Sequence, residues 1–174
     1  MSVVEPAAAP TAATYAFAVC SCGMATETPE VLYDALLASW NRRNAAEFAA
    51  LFEAEGHCIG FDGSEMHSPD EIESALGEIF ADHETATYVA KIRDVRLLTP
   101  DIALLSAVVG MVPPGRSDIN PDVNAVQVLV ATRIQGTWRV SLLESTPAQY
   151  HGRPEEAEAL TRELQELLEG QRFG

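Results

Sequence analysis

Lysine is almost missing from this chain. Lys91 is the only one, and it and ten arginines face 26 Asp and Glu, for a formal charge of −15 over 174 residues. Such a field repels phosphate. It excludes general binding of DNA or RNA and opposes docking on an anionic membrane surface. Cysteine is scarce too: Cys20, Cys22 and Cys58 are too few for a disulfide framework. Cys58 sits in an apolar run and reads as a small buried hydrophobe. The compartment these thiols fit is reducing, and the expected location is the cytoplasm. No basic region opens the chain as a signal peptide would, and the small-residue stretch 11–23 is too short to span a bilayer. Nucleophile elbow, Ser-His-Asp order, phosphate-cradling glycine loop and nicotinamide or flavin fingerprint are all missing. The four histidines show no i,i+4 pair and no Cys-His cadence, so neither a metal site nor a cofactor is expected.

What remains is the material of one globular domain. Hydrophobic residues make up 47%, charged residues 21%, and the mean hydropathy is +0.01. Residues 1–28 read as a flexible Ala-, Pro- and Thr-rich lead, and a single domain is expected over 29–174. Between Glu27 and Glu84 fourteen acids stand against Arg42 and Arg43 alone, a pattern that fits solvated helix faces.

The spacing predicts a first helix from the Thr28 cap and Pro29, with Leu32, Leu36 and Trp40 on its apolar face. Asn44 caps a second helix carrying Phe48, Leu51 and Phe52, expected to stop at Gly56. A short apolar strand 57–61 and a turn at Asp62-Gly63-Ser64 follow. Ser68-Pro69-Asp70-Glu71 then starts a third helix with Ile72, Leu76, Ile79 and Phe80 on one side. From there the period changes. Four β-branched runs at 88–98, 102–112, 123–134 and 137–146 succeed one another with no helix between them, which predicts an antiparallel meander. A last helix opens at Pro154, from about residue 153, with Leu160, Leu164, Leu167 and Leu168 along one side. It is expected to pack on its own domain. The fold class is therefore α+β: a curved antiparallel sheet wrapped as a cone around three N-terminal helices, with a hollow between the layers and a C-terminal helix added.

Trp40-Asn41-Arg42-Arg43-Asn44 leading into Phe48-Ala49-Ala50-Leu51-Phe52 resembles the SnoaL-like superfamily, which also holds ketosteroid isomerase, scytalone dehydratase and nuclear transport factor. Gly136-Thr137-Trp138-Arg139-Val140, Ser145-Thr146-Pro147 and His151-Gly152-Arg153-Pro154-Glu155 are similar, more narrowly, to the SgcJ/EcaC family of enediyne polyketide biosynthesis. The resemblance implies a cystatin-like cone with a ligand pocket and a homodimer through the outer sheet face. Ketosteroid isomerase works with a general-base Asp opposite a Tyr and a protonated Asp. Aligned here, those positions hold Gly60, Leu36 and Leu129, so that machinery is missing.

Pocket groups are instead expected on the last hairpin. With Gln135-Gly136 as a two-residue turn, Ala131 faces Val140, Leu129 faces Leu142 and Gln127 faces Glu144, on the face of Trp138. The alignment makes that face the inner one. Gln127 and Glu144 then form a polar pair in an apolar pocket, where desolvation would suit Glu144 to acid–base work, with a rim or surface acid bonded to solvent as the plain alternative. Asp62 and His67 are further catalytic candidates, a His-Asp pair near the mouth. Trp40, Phe61 and Phe80 are candidate walls, with core packing as the plain alternative. Two functions stay open. One is a cofactor-free enzyme that cyclises, dehydrates or isomerises a hydrophobic polyketide-type intermediate. The other is an accessory protein that binds such a molecule, or a polyketide synthase, without chemistry.

Overall fold

The computed structural model describes residues 26–173. In chain order the elements are α1 (Pro29–Asn41), α2 (Ala45–Ala49), β1 (Phe52–Ile59), β2 (Glu65–Met66), α3 (Pro69–Asp82), β3 (Thr87–Thr99), β4 (Ile102–Val112), a 3-10 turn (Pro121–Val123), β5 (Ala125–Ile134), β6 (Thr137–Pro147) and α4 (Pro154–Phe173). The six strands form one curved open sheet ordered β2-β1-β6-β5-β4-β3. Every pairing is antiparallel except β1 with β6, so the sheet is not wholly antiparallel as expected. The α+β class and the wrapping of the sheet around the three early helices are as the patterning predicted. Leu32 and Leu36 of α1, Phe48 of α2 and Ile72, Leu76 and Phe80 of α3 share one core with Leu105, Leu129, Val140 and Leu143 of the sheet.

The segment 40–44 shows how local sequence sets this geometry. Trp40 is half-buried, its ring edge-on to Phe80 at 5.3 Å and 5.2 Å from Tyr88, and its indole N–H donates to the Ala86 carbonyl. Asn41 accepts from the Tyr88 N–H and donates to the Tyr88 carbonyl, so a side chain stands in for the missing neighbour of edge strand β3. Arg42 pairs with Glu47 at 2.5 Å. Arg43 turns left-handed at φ 57°, and its guanidinium donates to the carbonyls of Phe80 and His83 at the end of α3, where a cation suits the helix dipole. Asn44 caps α2 through the Glu47 N–H.

The second helix is shorter than its apolar spacing implied. It ends at Ala49, and Phe52 already belongs to β1, because the Leu51 carbonyl accepts from Val140 and draws the chain onto β6. Gly56 is no helix stop. A Cβ there would lie 2.8 Å from the Val140 carbonyl oxygen, so glycine is what lets β1 bulge against β6.

The packed region begins before residue 29. Thr26 is buried, and its hydroxyl and carbonyl both bond the backbone of Trp138. The rest of the expected tail, with Cys20 and Cys22, lies outside the described residues. At the other end α4 runs past Gly170 to Phe173. It packs back on its own domain, as expected, and it does so on the sheet face opposite the other helices. Leu160 and Leu164 meet Val89, Val108, Val112 and Ile119 there. Gly110 is the seat of that contact: a Cβ would stand 2.8 Å from Ile119 Cγ2 and 3.1 Å from Leu164 Cδ1. Glu163 anchors the helix by ion pairs to Lys91 at 2.6 Å and Arg93 at 2.5 Å. Among the described residues no helix is long and apolar enough to cross a membrane.

Candidate functional site

Strand alternation sends Ala125, Gln127, Leu129 and Ala131 of β5 inward, and all four are buried. Ala131 pairs with Val140 as the turn geometry predicted. One residue further, β6 bulges: Val130 pairs with Leu142, and Ser141 is the extra residue. That single insertion reverses every side chain beyond it. Leu143 and Ser145, not Leu142 and Glu144, therefore face Leu129 and Gln127. Glu144 pairs with Val128 on the outer face, half-exposed, and accepts from the Thr146 hydroxyl at 3.3 Å. The expected Gln127–Glu144 pair does not form, and Leu142 is likewise outside.

The interior polar group is different. Tyr33, on the face of α1 pressed against the sheet, donates its hydroxyl to Gln127 Oε1 at 2.6 Å, and Gln127 Nε2 donates to Ser145 Oγ at 3.0 Å. All three residues are buried. Burial pushes the Tyr33 hydroxyl far above the ordinary tyrosine range, with Tyr88 and Asp34 adding repulsion, so it stays a protonated donor. Leu36 and Leu129, the positions that alignment gave to the isomerase tyrosine and acid, lie one helical turn and two strand residues from this pair.

A cleft of about 220 Å³ opens beside Tyr33, between α1 and edge strand β3. Asp34, Leu37, Asn41, Tyr88 and Ile92 line it, and Gln171 of α4 forms its far rim. Burial, and then the Glu30 carboxylate, hold the Asp34 carboxyl above its ordinary value. Burial also pushes the Tyr88 hydroxyl up to about 12. Apolar Leu37 and Ile92, polar Asn41 and Tyr88, a carboxyl held above its ordinary value and the tyrosine network behind them make a cleft of mixed lining that can hold a small molecule. A more open depression of about 390 Å³ lies among Arg43, Glu84, Thr87 and Pro113–Arg116. Its Arg43 is committed to the end of α3, so it offers less chemistry.

The expected walls fall elsewhere. Trp40 and Phe80 belong to the aromatic core, Phe61 is half-buried in the turn after β1, and Trp138 is buried with the Arg133 guanidinium 5.6 Å over its ring. Of the expected pocket residues only Gln127 reaches the cleft, through Tyr33. The helical stripe Tyr33, Leu37, Asn41, with Asp34 and Ala38 beside it, was the signal in the sequence that marks this cleft.

Asp62 and His67 do not pair. Asp62 is exposed and accepts from the Ser64 backbone and hydroxyl at 3.0 and 2.8 Å, bonds that hold its carboxyl below its ordinary value. It is a turn residue. His67 instead meets His57 and Glu65 across the β1–β2 hairpin, a cluster that sequence spacing did not reveal. Cys58, pushed up to about 12 by burial, is an inert core thiol.

A family model described as a SnoaL-like domain matches residues 30–147. No curated protein is similar to the chain. Solved structures are. A domain of unknown function with a cystatin-like fold from Nostoc punctiforme matches at TM-score 0.65 and 18% identity, over 82% of this chain and 93% of that one. A ketosteroid isomerase-like protein from Erwinia carotovora atroseptica matches at 0.55 and 15%, over 69% and 93%. A candidate scytalone dehydratase from Novosphingobium aromaticivorans matches at 0.57 and 15%, over 71% and 86%.

Proposed function

The chain belongs to the SnoaL-like domain family, and we propose that it binds a small hydrophobic molecule in the α1–β3 cleft. The observation that carries this is the buried Tyr33–Gln127–Ser145 chain directly behind a cleft lined by both apolar and polar side chains. The Tyr33 hydroxyl donates its hydrogen bond to Gln127 and its oxygen can still accept one, and Asp34 stands at the cleft as a second polar anchor. A ligand with one hydroxyl or carbonyl on a compact apolar frame suits these groups. The ligand class we propose is a polyketide-type intermediate, on the strength of the SgcJ/EcaC resemblance of segments 136–155. A polyketide synthase fits the same reading as the partner that supplies it. Copies of the chain would meet through the half-buried aliphatics Leu104, Val128, Val130 and Leu142 on the part of the outer face that α4 leaves uncovered.

A second reading, acid–base catalysis without cofactor, is favoured by one observation: a carboxyl, Asp34, lines the cleft and is held above its ordinary value by burial and then by Glu30. In that reading Asp34 handles the proton, rather than Glu144, Asp62 or His67. Fluorescence titration with 2-naphthol, a compact apolar phenol, tests both. Saturable binding weakened at least tenfold by Leu37→Trp and unchanged by Glu144→Gln supports the cleft. Binding insensitive to Leu37→Trp removes it. Loss of turnover with retained binding in Asp34→Asn would select the catalytic reading.

A further inference from the structure

We propose that His57, Glu65 and His67 bind a first-row divalent transition-metal ion, with zinc as the reference case, on the outer face of the β1–β2 hairpin. Cys58 pairs with Met66 and Ile59 with Glu65, so one further step of the ladder sets His67 opposite His57. Cys58 points into the core and Met66 packs against it. Alternation then sends His57, Glu65 and His67 to the other side together. No motif announces this, because one imidazole comes from β1 and the other two groups follow a turn.

The geometry is that of a coordination sphere rather than of hydrogen bonding. Glu65 Oε2 lies 3.5 Å from His57 Nε2 and 3.5 Å from His67 Nε2. The three donor atoms lie within 4.8 Å of one another, and the two rings are 4.3 Å apart at 32°. Two atoms bound to one zinc at about 2.0–2.1 Å in a tetrahedron stand about 3.3 Å apart. The two Glu65–imidazole separations need to contract by only a few tenths of an ångström, and the two imidazole nitrogens, within 4.8 Å of each other, close by at most about 1.5 Å through side-chain rotation. As hydrogen bonds they are too long, and His57 Nε2 is buried with no hydrogen-bond partner among the described residues. An unpaired buried nitrogen aimed at a carboxylate is what a ligand-poised imidazole looks like.

The hairpin is held ready. The Gly60 N–H donates to the Ser64 carbonyl at 2.8 Å, and Asp62 closes the same turn. The His67 N–H donates to Glu71 Oε2 at 2.8 Å, while Ser68 caps α3 next to it. Both imidazoles are thus carried on fixed backbone. Two nitrogens and one carboxylate suit zinc, cobalt, nickel or ferrous iron better than calcium or magnesium, which favour all-oxygen cages. Three protein donors leave a tetrahedral ion one position for water or a substrate atom. The His67 side chain is 61% exposed, so solvent reaches the site, and the charge of −15 concentrates cations around it.

The test uses the full chain, stripped with chelator, in a Cys20→Ser/Cys22→Ser background that removes the competing thiols. Zinc alone is titrated by calorimetry and cobalt alone by visible absorption. One ion per chain is expected, with ligand-field bands for cobalt. His57→Ala and His67→Ala should each weaken binding at least tenfold, Glu65→Gln should weaken it less, and His83→Ala should leave it unchanged. His67 and Glu65 are exposed, so their variants keep the fold, which circular dichroism checks. Absence of stoichiometric binding, or equal affinity in the folded His67→Ala variant, would overturn the proposal.

Discussion

The two faces of the sheet carry similar aliphatic side chains and do different work. Inward, Leu105, Leu129 and Val140 are sealed by α1–α3 around a short polar chain. Outward, α4 covers the β3–β4 end, while Val126, Val128, Val130 and Glu144 stay half-exposed. The difference teaches that composition does not assign a face: register does. One extra residue at Ser141 moves Ser145 into the core and Glu144 out of it.

The largest expected effect separates the faces directly. Leu129→Ala, at a fully buried site, should cost about 3–4 kcal/mol in urea unfolding. Val128→Ala, the next residue but on the outer face, should cost less than about 1 kcal/mol in the monomer. Equal losses would erase the distinction. Tyr33→Phe should cost about 1–2 kcal/mol, because it leaves Gln127 Oε1 buried without its donor. A Tyr33→Phe/Gln127→Leu double variant should recover part of that loss, which measures the coupling between helix and sheet.

The smallest effect at a polar site belongs to the outer helix. Hydrogen bonds from Arg93 and then Lys91 hold the Glu163 carboxyl down to about 2, against an ordinary 4.5. The folded state therefore gains stability that is fully present above pH 4.5 and is lost as the pH falls from there toward 2. Solvent screens these half-exposed partners, so Glu163→Gln should cost only about 1 kcal/mol at pH 7. The deficit should shrink between pH 4.5 and 2, and unfolding curves across that range check it.

Much of the fold was legible in the sequence because its signals are local. Thr28-Pro29 and Ser68-Pro69 start helices where caps and prolines must, and the boundaries of β3 to β6 follow turn residues to within a residue or two. What escaped depends on distant partners. Phe52 reads as helical by spacing, but Val140 pairs its neighbour into a strand. Nothing local in β4 calls for Gly110, yet it makes room for Leu164, 54 positions away. The site failed for the same reason. A β-bulge leaves no mark in alternation until the pairing is known, so Glu144 looked like Gln127's partner. Tyr33 and Asp34 sit on α1 with no local mark of a cleft, which exists only because β3 lies beside them.

Hydrogen exchange of the full chain with and without saturating 2-naphthol tests the central claim most directly. Ligand-dependent protection should appear in α1 over residues 33–41 and in β3 over 87–92, with none at 141–147 of β6. Protection centred on β6 around Glu144, with α1 unchanged, would contradict it.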